Sequence, residues 1–508
     1  MNRKRIVYIV IYSVVLALML AAEIVFSYSA IALDMVPDLY IAILIGMLAL
    51  LLGGAAVLLF VHRKGKWIGI ARQIIACLLI AVTIAGSLFA TPKLLELRRT
   101  VEHITTNALP TAYRNVYVHK DDAAKSVQDL EGYRFGALES DENCANQVVA
   151  EIEKTLGSTL SLQLYENESL LILAFAEKNI DAMIINEGQL SVWTENELYK
   201  DFDSNTRLVH SVQVDETANI QRPVENTDPE PEPEPVPDIT NTPFIVYLSG
   251  MDGYSQMLRN TRSDVNILMV VNPSAKQILM VNTPRDYYIV HPWGNGGRDK
   301  LTHCGIYGID CSIDALEKLY NTSVNYYMQI NFAGFETLID AIGGITVYSP
   351  NSFYADEGIY IYAGENQLSG KGALHFSRDR YHQAGGDNGR GQNQMKVLKA
   401  VISKVSNART LIANYSQILK SLEGMIATNL TAEDISKLVK MQLSDMATWN
   451  VLSYAVTGYG DTETTYSMPG TASYVMRPNQ NTVDYGQKLI QRVINGEILT
   501  QEDMKVPG

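Results

Sequence analysis

Residues 376–394 read FSRDRYHQAGGDNGRGQNQ, which sets Arg378, Arg380 and Arg390 within thirteen positions. The chain around them is acidic, with 55 Asp and Glu against 41 Lys and Arg. A charged run of this kind reads as a solvated surface loop or, because arginine presents a rigid fork of donors matched to phosphate oxygens, as an anion site, and the rest of the chain decides between them. Three further charged groups lie upstream. Asp252 follows an apolar run, Arg262 and Asp264 open NTRSDVNIL, and Arg285 and Asp286 sit in VNTPRDYYIV, where Pro284 fixes the turn. Two carboxylates with four or five arginines suit a divalent cation and a polyanion held together, and hard oxygen ligands point to Mg²⁺ or Mn²⁺. No Cys/His spacing indicates zinc, and no Ser-His-Asp arrangement or Walker-type glycine loop is present. His303 and His375, in apolar contexts, read as structural. A net charge of −14 speaks against nucleic acid as a partner.

The elements that must position these residues follow from the apolar pattern. Phe244–Gly250 and Val265–Val271 read as strands, and the turn cluster at 272–276 sends a third strand, Gln277–Asn282, back as a hairpin. The strand ends then bring Asp252, Asp264 and Arg285 to one edge of a sheet, where open α/β sheets bind ligands. Helices are expected at about 311–320 and 332–341, a strand at Ile345–Ser349, and a short helix capped by Ser369 and ending at Ser377. Met395, Leu398, Ile402 and Val405 recur at helical spacing behind the arginine stretch. Residues 239–500 are thus expected to form an α/β domain.

Three apolar stretches precede it, at about 6–33, 39–61 and 68–90, each long enough or nearly so to span a bilayer as a helix. Basic residues cluster at 2–5 and 62–66, whereas the connection 34–38 carries only acids. The positive-inside tendency places the first two clusters in the cytoplasm and everything after about Thr91 outside the cell membrane. Residues 1–92 are therefore expected to be a multi-pass membrane region. Residues 222–238, RPVENTDPEPEPEPVPD, read as an extended proline-rich spacer. Between them, residues 110–221 alternate strand-like and helix-like segments, which predicts a small α/β domain on a mainly parallel sheet. Its order, VYVHKDDAAKSVQDLEGYRFGAL, then ENCANQVVAEIEKTLG, then AEKNIDAMIINEG, resembles a lobe of periplasmic solute-binding proteins. Cys304 and Cys311 lie seven apart across Gly305 and Gly308, outside the membrane, where a disulfide could persist, although on a continuous helix they would be too distant to bridge.

Taken in order, GMD, TRSDVNIL, VNTPRDYY, DKLTH, GGITV, LSGKGALHFSRDR and GDNGRGQNQ resemble the LytR–CpsA–Psr family of cell-wall glycopolymer ligases, over about 240–500. Three membrane spans and an accessory domain ahead of the ligase domain are similar to capsule-associated members. The resemblance implies that residues 239–500 are a catalytic domain with a central mixed sheet and that the substrate is a polyprenyl (undecaprenyl) pyrophosphate-linked glycan. Its phosphoglycan would pass to a peptidoglycan hydroxyl at the cytoplasmic membrane, with release of polyprenyl phosphate. It implies Asp252 and Asp264 as metal ligands and Arg285, Arg378 and Arg380 as the pyrophosphate-holding catalytic groups beside Asp264. Arg262, Asp286, Lys300, Arg390 and Gln394 are implied on the head-group side, with the glycines letting the backbone approach the phosphates. Asn393 stands where the family usually has Arg. Phe332, Phe335, Leu338 and Ile339 are candidates to line a prenyl cavity, against ordinary core. Two other readings stay open: a membrane-bound wall sensor or regulator that binds such lipids, and a hydrolase that uses water as acceptor.

Overall fold

The computed structural model describes residues 3–60, 66–106, 112–194, 199–215, 236–251, 260–294, 296–355, 358–379, 387–407, 417–418 and 424–506. Asp252, Arg380 and most of the proline-rich stretch lie outside the described residues. The chain divides into two compact units. One holds the helices Arg3–Leu33, Asp38–Phe60 and Lys66–Thr106 together with the helix Ala432–Asp445. The first three are long and apolar enough to cross a membrane. The third continues well past Ala90 through a polar turn containing Arg98 and Glu102, which pair at i,i+4. Thr431 caps Ala432–Asp445 in a reciprocal box with Asp434, and Lys440 on it reaches Asp38 at 2.8 Å and Asp34 at 3.1 Å.

The other unit contains two sheets. The first has the order Ser161–Tyr165, Arg134–Leu138, Ala182–Asn186, Ala112–His119, Thr206–Val214. Its parallel part is built by two crossovers through the helices Glu142–Leu156 and Glu168–Ala176. Gly157 ends the first helix at φ +74, and the Asn167 side chain caps the second. The expectation of a mainly parallel sheet is corrected here. Ala112–His119 runs antiparallel to both its neighbours, and Thr206–Val214 was not anticipated as a strand. Ala112–His119 leads to Arg134–Leu138 through only a 3₁₀ turn, Val127–Leu130, without the α-helical crossover that parallel neighbours need.

The second sheet is mixed, in the order Ile426–Thr428, Tyr326–Asn331, Phe244–Met251, Ser263–Asn272, Gln277–Asn282, Asn450–Ala455. Phe244–Met251 is paired on both sides and its apolar side chains are covered on both faces, which is why it reads as a continuous apolar run. Tyr247, Leu268, Leu279 and Leu316 anchor its core. The two sheets share a boundary within this unit. Ile306 and Met468 of the larger region are buried among Tyr117, Leu171 and Trp193 of the smaller. Beside them the buried Glu168 carboxylate accepts from the Gly470 amide at 3.1 Å.

Candidate active site at the edge of the mixed sheet

Asp264 reaches the site through a fault in the ladder. Gly250 pairs with Val265 and Met251 with Ser263, so Asp264 is the extra residue of a β-bulge, a device that re-aims a side chain. The hairpin then returns along Gln277–Asn282, and the turn at Pro284 delivers Arg285, whose Nη1 donates to Asp264 Oδ1 at 2.8 Å. Thr302 donates to the same oxygen at 3.4 Å. Neighbouring strand ends thus bring Asp264 and Arg285 together as the sequence implies.

The arginine stretch is divided between two helices. Gly370–Arg378 is capped by Ser369 and carries Arg378 in its last turn, with the guanidinium 4.5 Å from the Phe332 ring centre. Asp387–Val405 carries Arg390 and Gln394 one turn apart, and Val397, Leu398 and Val401 continue along the same face. Gly391 is required for this approach, because a Cβ there would lie 2.2 Å from the Asn282 side chain. This glycine brings the helix onto the sheet rather than the backbone onto a phosphate.

Arg262, Asp264, Arg285, Arg378, Arg390 and Gln394 border a cavity of about 450 Å³ whose remaining wall is largely apolar. Phe332, Phe335 and Leu338 line it, at spacings that put them on one helix face. Ile339, the fourth candidate, is fully buried and does not border the cavity; it belongs to ordinary core. Leu248, Ile267 and Met328 from three adjacent strands close the floor. The volume falls in the usual range for small-molecule sites. The result is an apolar chamber with a cationic rim.

The electrostatics can be read from Asp264. Burial alone would raise its pKa, but Arg285, Arg262 and Arg390 outweigh burial and hold it at about 2. Three guanidinium groups therefore surround one carboxylate, leaving an excess of positive charge suited to a polyanion. Both donors to Asp264 take Oδ1; among the described residues none reaches Oδ2. An ionised carboxylate with one oxygen so placed fits a hard divalent cation.

Asp286 and Lys300 are placed differently from the head-group role the resemblance implied. Lys300 Nζ lies 3.6 Å from Asp286, which lies 3.7 Å from Arg285 Nε, and neither Asp286 nor Lys300 borders the cavity. They stand behind Arg285 and hold it. Asn393 is also turned away: its amide donates to the Phe376 carbonyl at 3.2 Å and ties the two helices. His303 bonds Asp299 at 2.5 Å in a buried network, as a structural histidine should, whereas His375 borders the cavity. Sequence reasoning missed Thr302, which bonds Asp264, and Tyr354, which borders the cavity; the signal for Thr302 was its position two residues after Lys300 in DKLTH.

Residues 208–483, over half the chain, match the LytR_cpsA_psr family. This chain belongs to that family. A polyisoprenyl-teichoic acid–peptidoglycan teichoic acid transferase TagU of Enterococcus faecalis is 36% identical over 198 residues, covering 39% of this chain and 64% of that relative. The TagU of Bacillus cereus is 34% identical over 199 residues, again 39% of this chain and 64% of the relative. The chain thus spans just under two thirds of the length of these relatives. The crystal structure of B. subtilis TagV aligns at 24% identity with a TM-score of 0.43, covering 50% of this chain and 98% of that one.

Proposed function

We propose that this chain is a membrane-anchored phosphotransferase that moves a wall phosphoglycan from a polyprenyl pyrophosphate carrier to peptidoglycan. The observation that carries the reading is the union, in one cavity, of an apolar interior and a rim of arginines around an ionised Asp264. A prenyl tail and a pyrophosphate need those two environments side by side. The names of the TagU relatives point to the same donor and acceptor classes.

In this reading Arg262, Arg285 and Arg390 hold the two phosphates, and Arg378 closes the rim. A peptidoglycan hydroxyl attacks the phosphorus that bears the glycan, and the bond to the bridging oxygen breaks as polyprenyl phosphate leaves. Charge builds on that leaving group, so fixed guanidinium groups stabilise the transition state more than the ground state. Asp286 and Lys300 keep Arg285 in place during the step. Asp264 and Asp252 would hold Mg²⁺ or Mn²⁺, which supplies further positive charge to the phosphates. Residues 112–214 form the accessory module. The distribution of basic residues around the three spans supports a multi-pass anchor and an extracytoplasmic catalytic region.

The test is lipid identity. Full-length protein extracted in mild detergent should carry polyprenyl phosphates or pyrophosphates detectable by mass spectrometry, and Arg285→Ala should lose them. Wild type that carries only bulk phospholipid would overturn the reading.

A further inference from the structure

Behind the Thr302 segment lies a second cluster that the transfer reaction does not use. Leu301–Cys304 is a single helical turn, residues 305–307 tighten into a 3₁₀ turn, and Gly308 at φ +104 reverses the chain before the helix Ile309–Tyr320. Only glycine adopts that backbone readily. The break undoes the separation that a continuous helix would impose, and brings the sulfurs of Cys304 and Cys311 together with His291 Nε2, all within 4.8 Å of one another. All three residues are buried, at 0%, 0% and 1% exposure. His291 Nε2 lies 3.5 Å from Cys311 Sγ, and Tyr307 and Tyr466 rings pack on the imidazole.

Two chemistries compete for such a trio: a metal and a disulfide. The Trp293 backbone N–H points at His291 Nδ1 at 3.3 Å, so Nδ1 is the acceptor and the ring proton belongs on Nε2, facing sulfur. A metal-bound histidine shows the reverse, with its distal nitrogen donating. A closed structural zinc site also needs four ligands, and the described residues supply three. We propose that Cys304 and Cys311 are joined by a disulfide in the mature protein, stapling the elbow that carries Thr302 against Asp264. The proposal rests on the extracytoplasmic orientation given above, where such bonds persist.

The bond forms by exchange with a disulfide of a thiol oxidoreductase. One thiolate attacks it and releases a thiol, and the second thiolate then displaces the remaining sulfur. Two thiols of this chain become one disulfide, and the oxidant disulfide becomes two thiols. Burial pushes the Cys311 thiol well up, so exchange belongs to folding, before the elbow closes.

The experiment uses the full chain, from cells whose thiols are blocked with iodoacetamide in denaturant without reductant. Cleavage after Lys300 and Lys318 yields one peptide, residues 301–318, that contains both cysteines. The expected result is a peptide without alkyl groups and about 2 Da lighter than its reduced form, becoming doubly alkylated only after reduction. Cys77 and Cys144 should be alkylated throughout. Double alkylation of 301–318 without reductant overturns the disulfide; if stoichiometric zinc accompanies it, the metal reading replaces it. Protease digestion of intact spheroplasts reports the orientation independently, so failure of that premise is seen apart from failure of the bond. Cys304→Ser, Cys311→Ser and the double variant should each lower the melting temperature by the same several degrees, because one bond is lost in all three. Additive losses would show separate packing contributions and contradict the staple.

Discussion

Replacing Asp264 by Asn removes a carboxylate charge held by three buried guanidinium groups while keeping the side-chain shape. The structure sets the size of the effect. The surrounding arginines depress the carboxyl from 3.8 to about 2, a shift that corresponds to about 2 kcal/mol of folded-state stabilisation at neutral pH. Asp264 is only 15% exposed and Arg285 6%, so little of this is lost to solvent screening. Asp264→Asn should therefore lower the melting temperature of full-length protein in detergent by roughly 5 °C at pH 7. Because the folded pKa is depressed, the stabilisation is complete above about pH 4 and disappears as the pH falls through about 2. The gap between wild type and variant should shrink to about half by pH 3. Inorganic pyrophosphate, added with a chelator so that no cation takes part, should stabilise the variant more than wild type, since it returns negative charge to the same rim. Equal melting temperatures at pH 7, or a gap unchanged at pH 3, would refute the picture of an arginine-held carboxylate.

Filling the chamber should separate tail from head group. Phe335→Trp or Val401→Phe should weaken binding of long-chain prenyl pyrophosphates at least tenfold in a competition assay while leaving inorganic pyrophosphate unaffected; equal weakening of both would return these residues to plain core. Burial holds His291 down at about 4, so it contributes stability above about pH 6.5 that is lost as the pH falls through about 4. Its Gln variant should show a flatter stability profile across that window, and an unchanged profile would remove His291 as the cause. Glu168→Ala leaves the Gly470 amide without its carboxylate and should cost roughly 1–3 kcal/mol in chemical denaturation. A cost near zero would mean that the contact between the two sheet regions contributes little.

What could be read from the sequence, and what could not, differ for physical reasons. The hairpin through 272–276, the Ser369 cap and the strand Ile345–Ser349 follow local rules, and the structure contains each of them. Asp264 and Arg285 were paired in advance because strand ends meet by topology. The cavity wall was harder. Phe335 and Ile339 are adjacent apolar residues on one helix, and only its rotation against the sheet decides which faces the chamber. Asp286 and Lys300 carry the charges that a head-group site wants, yet the turn at Pro284 puts them behind Arg285. The strand Thr206–Val214 escaped because it pairs with a strand some ninety residues earlier, at the register Val116 to His210.

Transfer of a phosphoglycan from a polyprenyl pyrophosphate carrier to peptidoglycan can be followed directly. Purified full-length protein is incubated with a polyprenyl pyrophosphate-linked glycan and a peptidoglycan oligomer, and both products are followed by mass spectrometry. The expected products are polyprenyl monophosphate and, in equal amount, peptidoglycan carrying the glycan through a phosphodiester, with both lost in Arg285→Ala. Polyprenyl monophosphate accompanied by free glycan phosphate, and no modified peptidoglycan, would contradict transfer and leave water as the acceptor.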